Sequence, residues 1–320
     1  MKNLSVRASC CVAVLLGVAA TAQDTPVILR VDVENQVRYV GDVTDPSRVA
    51  QSPVPVAVSP NRAVNFGSST VIGDVIAVNG SPAKGAWAYV EHNVRLNPIP
   101  ATGAAISDAM LASLCIQNLE FVKPNGDRIG IIFGMGGVGG PDWAIVGGTG
   151  AFVGAKGTMA TAPGITIRTT SQAEDPSMRR VNGGGRGTYV IQLIPMFRPE
   201  VVIGANGPAV FHSDFSAVNS ANPARAGETL IVYAKGLGPT TALLNPGDPF
   251  PSEPLAIATS PVEVLVNGKS SPAINQIGLP GTTDTYRVDF RLPDDTVAGT
   301  ANVQISAAWV KGAAVSIPVR

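Results

Sequence analysis

The segment Val146-Gly147-Gly148-Thr149-Gly150-Ala151-Phe152-Val153-Gly154-Ala155-Lys156-Gly157 sets five glycines among twelve residues and surrounds them with β-branched and aromatic side chains. Glycines at 147, 148 and 150 let the backbone take positive φ without a Cβ clash, and Thr149 can hydrogen-bond within a turn. The stretch reads as a tight turn joining two strands. The same pattern continues on both sides. Val27–Val33, Val71–Val78, Trp87–Val90, Arg128–Phe133, Thr188–Leu193, Thr229–Tyr233, Val262–Val266, Tyr286–Leu292 and Asn302–Val310 are short, β-branched or aromatic, and bounded by Gly, Pro, Asn or Asp. Asn79-Gly80, Asn125-Gly126 and Asn267-Gly268 suit turns that demand positive φ. One stretch, Ala104–Leu114, reads as a helix or as the lead into a strand. The chain is expected to be all-β.

Composition narrows the function classes. The 320 residues carry 23 Lys and Arg against 23 Asp and Glu, with 45% hydrophobic residues, 35 glycines and 26 prolines. The glycines and prolines follow no period and the apolar fraction is that of a packed protein, which excludes collagen and disorder. Zero net charge with no basic run gives no footprint for a polyanion, so nucleic acid is not an expected partner. Few ionisable groups remain to line a cavity.

Residues 1–22 read as a secretory signal: Lys2 and Arg7 form a positive start, Cys11–Ala20 an apolar core, and Ala20-Thr21-Ala22 a small-residue cleavage site. The mature chain is expected to begin at Gln23 and to be secreted, extracellular or attached to the cell surface. Cys115 then remains alone among Leu114, Ile116 and Leu119, so neither an intrachain disulfide nor a cysteine-based metal site is expected, and Cys115 reads as a small buried hydrophobe. Pro-Met-Phe-Arg-Pro at 195–199 and Gly-Ala-Asn-Gly-Pro at 204–208 interrupt the strand pattern. They divide the chain into a first domain at 23–195, a linker at 196–207 and a second domain at 208–320.

The Gly-Gly-Thr-Gly string followed by Phe152 and Lys156-Gly157, together with Phe66-Gly67, Lys84-Gly85-Ala86-Trp87-Ala88-Tyr89 and the hairpin Leu119–Phe133, resembles the dirigent proteins and their allene oxide cyclase-like relatives over roughly 27–194. The resemblance implies a barrel of about eight antiparallel strands, wide enough for one small ligand. It also implies trimers built through the outer faces. Dirigent members that steer radical coupling place an acid directly after the turn and an Arg before the later Gly, where this chain has Ala151 and Lys156. Allene oxide cyclase-like members act mainly through cavity shape. In the second half, Pro208-Ala209-Val210-Phe211, Asn222-Pro223-Ala224, Gly227-Glu228, Lys235-Gly236-Leu237-Gly238-Pro239, Val262–Gly268 and Leu292-Pro293 resemble the C-terminal domain of many exported acidobacterial proteins. That likeness implies an Ig-like β-sandwich with a spacer or surface-associating role.

Gly134-Met135-Gly136-Gly137-Val138-Gly139 matches the dinucleotide spacing, but Gly140-Pro141 follows where a helix should begin. There is no G-x-S-x-G and no H-E-x-x-H, and His92 and His212 fall in different domains. Glu174-Asp175 and Asp294-Asp295 read as solvated turns, and Arg179-Arg180 with Arg186 as an exposed basic flank able to meet an anion. Within the barrel, Tyr89, His92, Lys156 and Arg186 are the candidate ligand-binding residues, with Gly147, Gly148, Thr149 and Gly150 as a structural turn. No catalytic residue, cofactor or metal is assigned. The expected function is a non-catalytic exported barrel that binds a small apolar or aromatic molecule, carried on a module that meets a cell-surface or matrix component. The alternatives are a cavity-shaped isomerase or cyclase, a dirigent-type auxiliary, and a structural envelope protein.

Overall fold

The computed structural model describes residues 26–40, 58–59, 62–97, 112–137, 143–171, 173–241, 244–245 and 247–320. At 40, 58–59, 62–68, 92–97, 112–113 and 171 the description is of the backbone alone. The leader 1–22, the stretch 104–111 and the last residues of the G-x-G-x-x-G match lie outside the described residues.

The first half forms β1 (Val27–Val40), β2 (Val58–Ser59), β3 (Arg62–Val78), β4 (Ser81–Asn97), β5 (Ala112–Val122), β6 (Arg128–Gly136), β7 (Trp143–Gly150), β8 (Lys156–Thr161), β9 (Arg168–Ser171) and β10 (Gly185–Ile194). Eight of these pair antiparallel in the order β3-β4-β5-β6-β7-β8-β10-β1, and β1 pairs back onto β3 to close a barrel. Closure leaves the long strands with no free edge. The turns β3–β4, β5–β6 and β7–β8 gather at one end, called the lower end below. Asn79 and Gly80 both take positive φ there, as a type I′ hairpin requires.

The glycine-rich string is placed differently from the expectation. Residues 147–150 finish β7, and the turn is Ala151–Gly154, with Phe152 N–H donating to the Thr149 carbonyl at 3.1 Å. Of the string's first three glycines only Gly150 has positive φ, at 61°. Gly148 serves a close approach instead: a Cβ there would lie 2.3 Å from the Phe152 carbonyl oxygen. Removing that atom lets Phe152 fold back and bury its ring in the barrel.

A bulge in β1 sets which side chains enter the barrel. The β1 register shifts between Val33 and Gln36, with Asn35 at φ 53°. Leu29, Val31 and Val33 belong to the barrel core, whereas Val37 and Tyr39 are buried outside that cluster. Gln36 and Arg38 take the inward positions instead, because one extra residue reverses the alternation of faces.

The second half forms β11 (Glu200–Val201), β12 (Ile203–Gly204), β13 (Gly207–Pro208), β14 (Val210–His212), β15 (Thr229–Lys235), β16 (Val262–Val266), β17 (Lys269–Gly278), β18 (Thr285–Arg291), β19 (Gly299–Ala307) and β20 (Val310–Val319). The segment read as a linker thus carries β11 and β12. In place of two separate sandwich sheets, one ladder runs β11-β15-β18-β17-β16-β19-β20. The reason lies in β17, which pairs β16 over 269–272 and then β18 over 273–278, with a bulge at Ala273/Asn275. The result is a second, barrel-like sheet around its own core of Leu230, Val232, Val264, Val288, Phe290, Val303 and Ile305. The run 302–310, expected as one strand, is two strands separated by a turn at Ala308-Trp309.

Candidate functional site

The barrel interior is graded along its axis. At the lower end Phe121, Phe152, Ile132, Leu29 and Leu193 make an apolar plug. Above it Trp87, Tyr89, Trp143 and Tyr189 form a belt: Trp87 lies 4.4 Å from Tyr189 and 4.7 Å from Tyr89 between ring centroids, and Trp143 lies 6.2 Å from Tyr89 and 6.4 Å from Tyr189. Such spacings fit edge and tilted aromatic packing. Above the belt stands a charged pair. Arg38 donates to Glu91 at 3.0 Å and to the Tyr89 hydroxyl at 2.9 Å, and Ser69 donates to the other Glu91 oxygen at 2.7 Å. Glu91 is 1% exposed. A carboxylate that deep is stable only with partners of this kind.

The period of two explains the membership. Trp87, Tyr89 and Glu91 alternate on β4, as do Cys115, Gln117, Leu119 and Phe121 on β5, and these inward residues face one another in register as Trp87–Leu119, Tyr89–Gln117 and Glu91–Cys115. Burial pushes the Tyr89 and Tyr189 phenols well above their usual range and the Cys115 thiol up to about 11. These groups stay neutral at physiological pH and act as hydrogen-bonding walls. Tyr189 donates to Gln36 at 2.7 Å.

One part of the belt is unsatisfied. Gln117 is 2% exposed, and neither its Oε1 nor its Nε2 has a hydrogen-bond partner among the described residues. The Trp87 Nε1 is likewise buried without one. Gly134, on the neighbouring strand, leaves the space that the Gln117 side chain fills, since a Cβ there would sit 2.6 Å from its Nε2. The two N–H donors and one carbonyl acceptor of Gln117 and the indole N–H of Trp87 are thus buried and unpaired at the level of the aromatic belt.

Of the residues singled out from sequence, the structure brings only Tyr89 into this site. His92 lies on β4, opposite Ser68 and Leu114 in register, and its side chain is outside the described residues. Lys156 and Arg186 are exposed, since both occupy outward positions of their strands. Arg179 and Arg180 do not form an anion site with Arg186. Both bond the Asp74 carboxylate on the outer wall, where Asn35 also donates at 2.9 Å. Despite the cost of partial burial, those bonds hold Asp74 down at about 2. Glu174 is paired with Arg168, Asp175 caps the 3₁₀ turn Pro176–Arg180, Asp294 pairs with Arg291 and Asp295 with Lys269, so the adjacent acids act separately. Arg38, Glu91 and Gln117 were missed, and Trp87 was read only as a core-packing neighbour of Tyr89. Glu91 was within reach by counting in twos from Trp87 and Tyr89, while Arg38 was hidden by the bulge.

A second polar cluster lies in the second domain. His212 Nδ1 meets Glu228, and its Nε2 lies 3.2 Å from the Asn222 carbonyl, beside a surface cleft of about 510 Å³ also lined by Asp214, Ser216 and Arg225. Burial disfavours the charge on this ring, but the bonds to Glu228 and to the Asn222 carbonyl raise its pKa above the ordinary value, and both ring nitrogens are already engaged. Among the described residues no three His, Cys, Asp or Glu side chains converge as metal ligands. Compared with known proteins, the chain matches no family model, no curated protein and no solved structure.

Proposed function

We propose that this is an exported protein whose barrel binds a small aromatic or apolar molecule carrying one hydrogen-bonding group, without transforming it. The observation that carries the reading is the set of buried, unpaired polar atoms of Gln117 and Trp87 inside an aromatic belt. Buried polar groups are nearly always paired, and each orphan costs about 1–3 kcal/mol that a ligand can recover. The likeness of the Gly-Gly-Thr-Gly region to dirigent and allene oxide cyclase-like barrels supports the same ligand class. The second domain is then the carrier, with the surface-associating role its own motifs suggest, and the exposed row Val90, Ile116 and Met135 on the outer wall supports a homo-oligomer.

The test uses the mature chain from Gln23, a panel of substituted phenols and cyclic ketones, native mass spectrometry and tryptophan fluorescence. Binding of at least one member, lost in Gln117→Met, is the expected result. No adduct and no quenching at millimolar ligand, with Gln117→Met indistinguishable, overturns it.

A second reading, a cavity-shaped isomerase, cyclase or coupling auxiliary, is favoured by the Glu91 carboxylate set beside the Tyr89 hydroxyl on the barrel wall. A bound ligand recovered as an isomer, or coupled with an enantiomeric excess, would establish it. Dense packing of Trp87, Tyr189 and Phe121 supports the structural envelope reading; the unpaired Gln117 is what favours a ligand over it.

A further inference from the structure

We infer that the second domain supplies the floor of the barrel, with Trp309 as the closing side chain, so that the two domains fold as one unit. Ala308 and Trp309 form the tip of the β19–β20 hairpin, between the paired residues Ala307 and Val310. Although the strands belong to the second domain, Ala308 and Val310 are buried in the barrel's core cluster, and Trp309 packs against that cluster. The Trp309 ring lies 5.2 Å from Phe121, which lies 5.4 Å from Phe152, and these two are the lowest rings inside the barrel.

The backbone of the tip shows that its side chains are held there for a purpose other than turning the chain. Ala308 and Trp309 both sit at positive φ, 47° and 64°. A two-residue hairpin of that geometry favours Asn-Gly, and the chain uses Asn-Gly at 79–80 and at 267–268. Ala-Trp is a poor choice for the turn itself, and conformations of this kind persist where surrounding structure imposes them. Two further ties seat the same end. Lys123, in the β5–β6 turn, donates to the Ala258 carbonyl at 2.8 Å, and Gly238 approaches Ala151 of the β7–β8 turn closely enough that a Cβ would lie 3.3 Å from the alanine's own. With the lower end closed, access to Gln117 runs from the Arg38–Glu91 end; this last clause alone rests on the ligand-binding reading.

Unfolding of the full mature chain tests the floor without any ligand, so its failure is distinct from failure of the binding reading. The wild type should unfold in one transition by calorimetry, with barrel and second domain coupled. The pair Ala308→Asn and Trp309→Gly improves the turn and removes the plug. It should split the transition and lower the barrel's midpoint by about 5 °C or more, whereas Trp309→Phe, which keeps a ring, should retain a single transition. If the Asn-Gly variant fails to fold while Trp309→Phe folds, the floor is equally supported, because better turn chemistry alone would not unfold the chain. Two separate transitions in the wild type overturn the inference. So does an Asn-Gly variant with an unchanged or raised midpoint, or failure of both variants to fold.

Discussion

Gln117 stands directly opposite Tyr89 across the β4–β5 ladder, both side chains inside the barrel, yet among the described residues only Tyr89 of the two has a side-chain hydrogen-bond partner, Arg38. A polar side chain retained in this position destabilises the free protein. Gln117→Met keeps the volume and removes the unpaired amide, so it should raise stability by about 1–2 kcal/mol. In a chain of this size that is a rise of about 2–4 °C per kcal/mol in the melting midpoint. A fall in the midpoint would mean that the amide is satisfied in solution and that Gln117 is structural.

The Arg38–Glu91 pair should behave as a buried ion pair reached from one side. Arg38→Met removes a counter-charge from the 1%-exposed Glu91 carboxylate and should cost about 3 kcal/mol. Arg38→Met combined with Glu91→Leu should recover most of that loss, because an apolar pair of similar volume replaces two desolvated charges. Denaturant unfolding of the two single variants and the double variant gives the coupling. Additive losses would show that the two groups do not interact.

The bulge at Val33–Gln36 marks where the sequence stopped being legible. Alternation on β4 and β5 was open to reading, and the strand-rich, barrel-forming character of the first half follows from it. Arg38 could not be placed by the same count, since continuing the phase of Leu29, Val31 and Val33 sends it to solvent. The β17 bend was hidden for a related reason: its two halves pair with different strands, which only the whole sheet determines. Ala308-Trp309 carries no turn signal because the turn serves the neighbouring domain. Lys156 and Arg186 were chosen by family position and by charge, and neither criterion records the face of the strand.

Two groups set opposite pH limits. In His212 burial disfavours the charge, but bonds to Glu228 and to the Asn222 carbonyl outweigh it and raise the pKa above the usual 6.5. A raised folded pKa gives stability that is full below about pH 6.5 and is lost as pH rises through the folded value. His212→Gln should therefore flatten the decline of the melting midpoint above pH 6.5. Asp74 works in the other sense. Its folded pKa of about 2 lies below the unfolded value near about 3.9, so its contribution is present above pH 4 and disappears between about pH 4 and 2. Asp74→Asn should weaken the acid dependence in that window, to which Glu174, also held at about 2 by Arg168, and Asp175, Asp214 and Asp295, each lowered by its hydrogen bonds, contribute as well. Midpoints measured from pH 2 to 9 check both; a His212→Gln profile parallel to wild type above pH 6.5 would sink the first.

Val90, Ile116 and Met135 are consecutive register partners across β4, β5 and β6, and they point outward with 38%, 48% and 40% of their surface exposed. Leu114 extends the row at 47%. Scattered surface hydrophobes need no explanation, but an aligned row on three adjacent strands is a contiguous patch of the kind that marks an interface. If this wall joins copies of the chain, the mature protein should sediment as a closed oligomer, and Ile116→Asp should return it to a monomer. The same change should cost the monomer only about 1 kcal/mol, because the position is half exposed and the loss is mainly that of a β-branched residue from a strand. Sedimentation velocity across a hundredfold range of concentration decides the point. A wild-type chain that remains monomeric throughout removes the oligomer and leaves the row as ordinary surface.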